Sequence, residues 1–186
     1  MKKTVATIIF LSASMLQGQE VRFGAQGTLA FPVGDAGQSE FLNHRPAFGF
    51  GVNAIWNFHP RHVFVPRFDM TFYKRNFEGN NTNPLKSSAT LSDIKLGVDY
   101  NLITKFNGFY GIAGLGLSSF DWMGDDVARD KKTALYFALG AGYPLTNNFL
   151  AELRYTHASY TDVTDDLGRR WNRSAPAINL SLMWRY

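Results

Sequence analysis

His157 and Ser159 stand two residues apart in a segment of alternating side chains, so a strand through them puts both on one face. A histidine beside a serine hydroxyl is the start of nucleophilic chemistry. The imidazole takes the hydroxyl proton, and a carboxylate on the other ring nitrogen fixes the tautomer. Asp162, Asp165 or Asp166 could supply that carboxylate. A second group, Asp121, Asp125, Asp126 and Asp130, offers the hard oxygen ligands that divalent cations take. Its spacing does not follow an EF-hand loop, and solvated loop carboxylates account for it. His44, His59 and His62 have no partners at metal-ligand spacing, and the last two bracket a Pro-Arg turn. There is no cysteine, hence no disulfide and no thiolate metal site. No metal and no cofactor is expected.

Strands must position these residues. Apolar and polar side chains alternate through eight segments. Val21, Phe23, Ala25, Leu29 and Phe31 oppose Glu20, Arg22, Gln26 and Thr28. Phe48 to Phe58, Phe64 to Phe72 and Ile94 to Leu102 continue the pattern. A fifth segment, Phe109 to Phe120, is rich in glycine and ambiguous in facing. Leu135 to Tyr143, Phe149 to Tyr155 and Ile178 to Tyr186 complete the set. Segments of about 10–13 residues suit tilted strands that cross a bilayer. The connections alternate between short (59–62, 104–107, 146–148) and long (32–46, 76–90, 121–132, 159–174), the asymmetry of periplasmic turns and outer loops. Pro66 falls inside the third segment; it cannot donate to a ladder, and a bulge is expected there.

The chain begins with Lys2 and Lys3 and then a short apolar stretch centred on Ile8, Ile9, Phe10 and Leu11. This reads as an export signal over residues 1–18, with a barrel domain over 19–186. Of the net charge of +4, two units belong to those lysines. The remaining basic residues are scattered, which argues against nucleic acid as a partner. Phe, Trp and Tyr make up 15% of the 186 residues, and glycine occurs 17 times. That composition, without a long apolar run, fits an all-β membrane protein.

The charges decide which face looks inward. Arg22, Arg67, Asp69, Asp93, Lys95, Asp99, Glu152, Arg154 and Arg185 lie opposite the large aromatics. A soluble carrier barrel would turn those charges outward, but it explains neither the strand length nor the aromatics on one face of nearly every segment. The expected architecture is an all-β, eight-stranded antiparallel up-and-down transmembrane barrel, with paired charges in a packed polar interior and no open pore.

The chain ends in alternating Ile178, Leu180, Leu182, Trp184 and a terminal Tyr186. This resembles the C-terminal assembly signal of outer-membrane barrels, which implies the barrel-assembly machinery as a partner during biogenesis. The segments Phe23-Gly24-Ala25-Gln26-Gly27 and Tyr110-Gly111-Ile112-Ala113-Gly114-Leu115-Gly116 are similar to strands of the small OmpA/OmpX-type outer-membrane β-barrel family. The resemblance covers about residues 20–186 and implies a monomer in the outer membrane, with lipid and lipopolysaccharide around it. It implies a fold with many roles, so little about chemistry. The expected function is non-enzymatic, a structural or surface-binding role through long outer loops. Arg129, Lys131, Lys132, Arg169, Arg170 and Arg173 there could meet lipopolysaccharide phosphates. The alternative rests on His157-Ala158-Ser159, which resembles the His-x-Ser of outer-membrane lipid A deacylases. That implies ester hydrolysis by His157 and Ser159. The Asn-Ala-Gly of those enzymes is replaced by Tyr160-Thr161-Asp162, and no Glu follows in the last loop.

Overall fold

The computed structural model describes residues 20–34, 45–77, 87–104, 108–123, 131–164 and 170–186. The expected export signal lies outside the described residues, as do His44, Asp125, Asp126, Arg129, Asp130, Asp165, Asp166 and Arg169. No helix among the described residues is long and apolar enough to cross a membrane, which says nothing about crossing with strands.

The strands are β1 (Glu20–Pro32), β2 (Ala47–His59), β3 (His62–Phe77), β4 (Ser87–Ile103), β5 (Tyr110–Met123), β6 (Lys132–Pro144), β7 (Phe149–Thr164), β8 (Arg170–Ser174) and β9 (Ala177–Arg185). From β1 to β8 chain neighbours pair antiparallel, and β9 pairs with both β7 and β1, so the sheet closes. β8 and β9 follow each other along β7, with Ser174 opposite Ser159 and Ala177 opposite Thr156 in the same register; the register shifts only farther out, between Tyr160 and Val163. They are two parts of one stave, interrupted at Ala175-Pro176, where proline lacks a donor. The barrel therefore has eight staves, as expected. Its seam runs from Gly24 opposite Arg185 to Pro32 opposite Ala177.

Turn chemistry fits the short connections. Pro60-Arg61 joins β2 to β3 with His59 opposite His62. Gly108, at φ +81°, takes the left-handed conformation that the turn into β5 requires. Thr146 Oγ1 accepts from the backbone N–H of Asn148 and Phe149 (3.2 and 3.0 Å) and holds the turn into β7.

The outer surface is apolar. Phe23, Leu115 and Leu135 are 65%, 69% and 75% exposed, and similar side chains ring the barrel. In water such a surface would be untenable; in a bilayer it is the solvated face. The fifth stave is no longer ambiguous: Tyr110, Ile112, Ser118 and Phe120 are buried inside, and Leu115 and Leu117 face out. Inward glycines make room for large interior groups. Tyr136 crosses over Gly97 and Gly116, and a Cβ at Gly116 would strike the Leu96 carbonyl and the Gly97 Cα.

The structure corrects three expectations. No bulge accommodates Pro66: it stays in register opposite Val98, and the β2–β3 register shift falls at the turn, between Asn57 and His59. The bridges around Pro66 are missing on the β2 side only, so the lost donor is absorbed by skipping pairs instead of inserting a residue. Second, three outer connections are shorter than the sequence suggests, because strand pairing continues to Phe77 opposite Ser87, to Met123 opposite Thr90 and to Thr164 opposite Arg170. Third, the interior is not polar throughout. Ile55, Val63, Val65, Tyr110, Ile112, Leu150 and Met183 cluster inside toward the short turns. Tyr73, Leu91, Phe120, Tyr136 and Tyr160 cluster with alanines toward the outer end.

Two glycines separate close packing from mere tolerance. Gly116→Val is expected to lose about 1–3 kcal/mol through overpacking at Tyr136. It should lower the fraction that runs as a folded, heat-modifiable band on an unheated gel. Gly27→Val, where an added Cβ meets nothing within 4 Å, should fold like the native chain. Equal mobility of both variants would contradict the close packing described.

Candidate functional site

A belt of buried charge crosses the lumen between the two apolar clusters. Arg67 on β3 reaches Asp99 on β4 (Nη1 to Oδ2, 3.1 Å) and Glu152 on β7 (Nη2 to Oε2, 3.0 Å). Arg154 on β7 reaches Asp99 (2.9 Å) and Asp69 on β3 (3.5 Å). Gln26 on β1 bridges them: its Nε2 donates to Asp69 Oδ1 at 2.6 Å, and its Oε1 accepts from Arg67 Nη2 at 3.3 Å. Tyr110 OH donates to Glu152 Oε1 at 3.0 Å. Two guanidinium groups thus hold three carboxylates, all from the faces that alternation turns inward. The glycines opposite them are spatial partners. A Cβ at Gly51 or Gly114 would collide with the carboxylate of Asp69 or Asp99.

Lys95 and Asp93 form a separate pair nearer the outer end. Ser118 Oγ donates to Asp93 Oδ1 at 2.5 Å and lies 2.6 Å from Tyr160 OH. These groups cap the outer cluster. The expected network therefore divides into this pair and the belt, and two further members, Arg185 and Arg22, stand apart from both. Arg185 Nε donates to the Asn147 carbonyl at 2.7 Å and ties the end of β9 to the turn before β7. Arg22 is half-buried, opposite Ile55 at the short-turn end. Gln26, Tyr110, Ser118 and Tyr160 were not anticipated as members. Parity alone placed Gln26 inside; Tyr110 and Ser118 lie in the segment whose facing was ambiguous from sequence, and Tyr160 lies in the stretch expected as an outer connection.

On the outside of β7, the structure brings His157 and Ser159 together, with Nε2 3.1 Å from Oγ. Both lie on the lipid-facing side with Tyr155, and the imidazole stacks on Phe137 (centroids 5.2 Å apart, planes at 24°). Among the described residues, the partner at the other ring nitrogen is Tyr155 OH, 3.3 Å from Nδ1. A phenol differs from a carboxylate in one decisive respect. It donates as readily as it accepts, so it does not force the proton onto Nδ1, and it carries no charge to stabilise an imidazolium. Asp162 is in β7 by its backbone, but its side chain is outside the described residues.

A closed eight-stave barrel with an apolar exterior and a charged lumen has counterparts of known kind. The outer membrane protein beta-barrel domain model matches residues 4–185. The chain belongs to this family. This outer-membrane barrel shares its fold with Neisserial surface protein A (16% identity, TM-score 0.58, covering 91% of this chain and 99% of that one). It is also similar to the N-terminal barrel of Pseudomonas aeruginosa OprF (12%, 0.54, 90% and 100%). Ail, the attachment invasion locus protein of Yersinia pestis, is a third (14%, 0.52, 91% and 99%). At these identities the likeness is one of fold. Comparison with curated protein sequences yields no match. Family and fold place the chain in the outer membrane, where its apolar belt meets lipid.

The charge belt has a measurable weight. Removing one partner from a buried pair strands the others, at a cost of about 3–5 kcal/mol. Arg67→Met should lose stability of that order in urea titration of the barrel folded into lipid vesicles, because Glu152 and Asp99 remain buried. Adding Glu152→Gln to that variant should restore part of the loss. An Arg67→Met barrel as stable as the native one would mean that the belt contributes nothing to holding the staves.

Proposed function

We propose that this barrel is a non-enzymatic membrane protein whose lumen, crossed at mid-depth by paired charge, makes it a rigid platform and whose outer hairpins make its contacts. The observation that carries this reading is the belt of Arg67, Asp99, Glu152 and Arg154, buried side chains from three staves that pair across the lumen. The hairpins add to it. β3, β4 and β7 have 16, 17 and 16 residues, against the roughly 9–11 that a tilted strand needs to span. Their surplus stands beyond the membrane on the long-loop side and presents the tips to the exterior. Surface and attachment proteins occur among chains of this fold, and a comparable presentation of loops is proposed here. Lys131 is exposed at the start of β6, where it can meet lipopolysaccharide phosphate. The lipid-facing Ile178, Leu180, Leu182, Trp184 and Tyr186 are proposed as the signal read during assembly, and the barrel as a monomer. In a planar bilayer, the purified protein should give no steady ohmic conductance; a stable pore would overturn the sealed lumen.

A second reading is favoured by one distance, the 3.1 Å between His157 and Ser159 in the lipid-facing wall. Such a pair could deliver a hydroxyl to an acyl ester held in the outer leaflet. The tyrosine at Nδ1 weakens it, since neither the tautomer nor the developing imidazolium is enforced. Mass spectra of lipid A from cells making the native chain and Ser159→Ala decide between the readings. Identical spectra are expected. Loss of one acyl chain with the native protein alone would make His157 and Ser159 catalytic residues and this barrel an esterase.

A further inference from the structure

The lumen is not filled at its short-turn end. A cavity of about 220 Å³ lies there, on the far side of the belt from the outer hairpins. Its apolar wall includes Ile55, Val65, Leu150 and Met183, all buried, and Asn57, Asn101 and Tyr110 add polar groups to the lining. Gly108 and Pro144, from two of the short turns, line its outer margin together with Arg185. Glu152 lines it from the belt, with its carboxylate already held by Arg67 and Tyr110. The cavity is therefore bounded on one side by paired charge and lies at the end of the lumen where the short turns are.

Its chemistry is specific. An apolar cavity of roughly 150 Å³ already stays dry and takes up a benzene-sized solute, so this one accepts a chain of about eight carbons. Asn101 lines it, is 8% exposed, and its Oδ1 has no hydrogen-bond partner. A buried carbonyl oxygen in that condition wants a donor. Arg185 adds a guanidinium at the margin, fixed in place by its bond to the Asn147 carbonyl. Cation at the margin, aliphatic walls within and an acceptor on one wall describe a complementary molecule.

We propose that this cavity binds a medium-chain alkyl carboxylate bearing a hydroxyl, taken from the periplasm. The tail packs on Val65, Leu150 and Met183, the carboxylate meets Arg185, and the hydroxyl donates to Asn101. The site is independent of the outer hairpins and of His157 and Ser159.

Methionine methyls provide the test. Met183 lines the cavity, whereas Met70 sits on the outward-facing side of β3. In the intact barrel in lipid nanodiscs with 13C-labelled methionine methyls, 3-hydroxyoctanoate should move the Met183 resonance saturably. Met70 should follow only the non-saturating partition of the probe into the bilayer. Val65→Phe, which fills the cavity, should abolish the saturable shift, and Arg185→Gln should weaken binding several-fold. Heat-modifiable mobility confirms that each variant is folded; if Val65→Phe is not, Val65→Leu replaces it and should weaken the shift. A Met183 resonance that does not saturate, or that saturates equally in the filled variant, overturns the proposal. Unchanged affinity in Arg185→Gln overturns it too, since the carboxylate would then have no place at the margin.

Discussion

Lipid offers no hydrogen bonds, and that one constraint organises the molecule. Every backbone N–H and C=O at membrane depth must find a partner inside the protein, so a sheet that crosses must close. Closure of β1 on β9 follows from it, and so does the inversion of the usual pattern, with aliphatic and aromatic side chains outside and the smaller or polar partners inside. Even Pro66 and Pro176 obey it. Each lacks a donor, and each is accommodated by a local gap in pairing that leaves the register of the stave intact.

Closing only eight staves makes the lumen narrow, and narrowness decides what fills it. Glycine on one stave becomes the slot for a large group from the next: Gly97 and Gly116 for Tyr136, Gly114 for Asp99, Gly51 for Asp69. Charged groups brought this close and this far from water must neutralise one another, because a stranded carboxylate there would cost several kcal/mol. Arg67 and Arg154 answer with forked contacts to groups on three staves, β3, β4 and β7. A lysine could not span them, having one point of charge in place of a planar fork. The belt thus ties the barrel across its diameter, where backbone ladders tie it only around its circumference.

Much of this was legible in the sequence, and what escaped did so for physical reasons. The outward face was plain because lipid selects large apolar side chains at every second position, from Phe23 to Trp184. The charge belt was visible by the same parity. The inner apolar cluster was not, because Val63, Val65 and Met183 stand beside outward Phe64, Trp184 and their neighbours, and two adjacent apolar residues blur a period of two. The true ends of β3, β4 and β7 were hidden by a different cause. The contrast that marks a strand fades in the polar runs Lys74-Arg75-Asn76 and Ser87-Ser88 before the pairing does. The spatial pairing of His157 with Ser159 was readable from parity, but the identity of the group on Nδ1 was not, since Tyr155 serves there as an ordinary lipid-facing aromatic.

The interior that results is layered: aromatic and alanine packing toward the outer end, ions at mid-depth, aliphatic side chains and a cavity toward the periplasm. A uniformly polar lumen of this width would draw in water and connect the two sides of the membrane through it. A uniformly apolar one would have no directional contacts to fix the staves in one arrangement. Layering serves both demands, because aromatic and aliphatic packing flanks the ion belt on its two sides and the belt fixes the geometry of that packing. The cavity sits where that logic relaxes. Below Glu152 and Arg67 the paired charges already tie the staves together, and the staves there line a space instead of filling it.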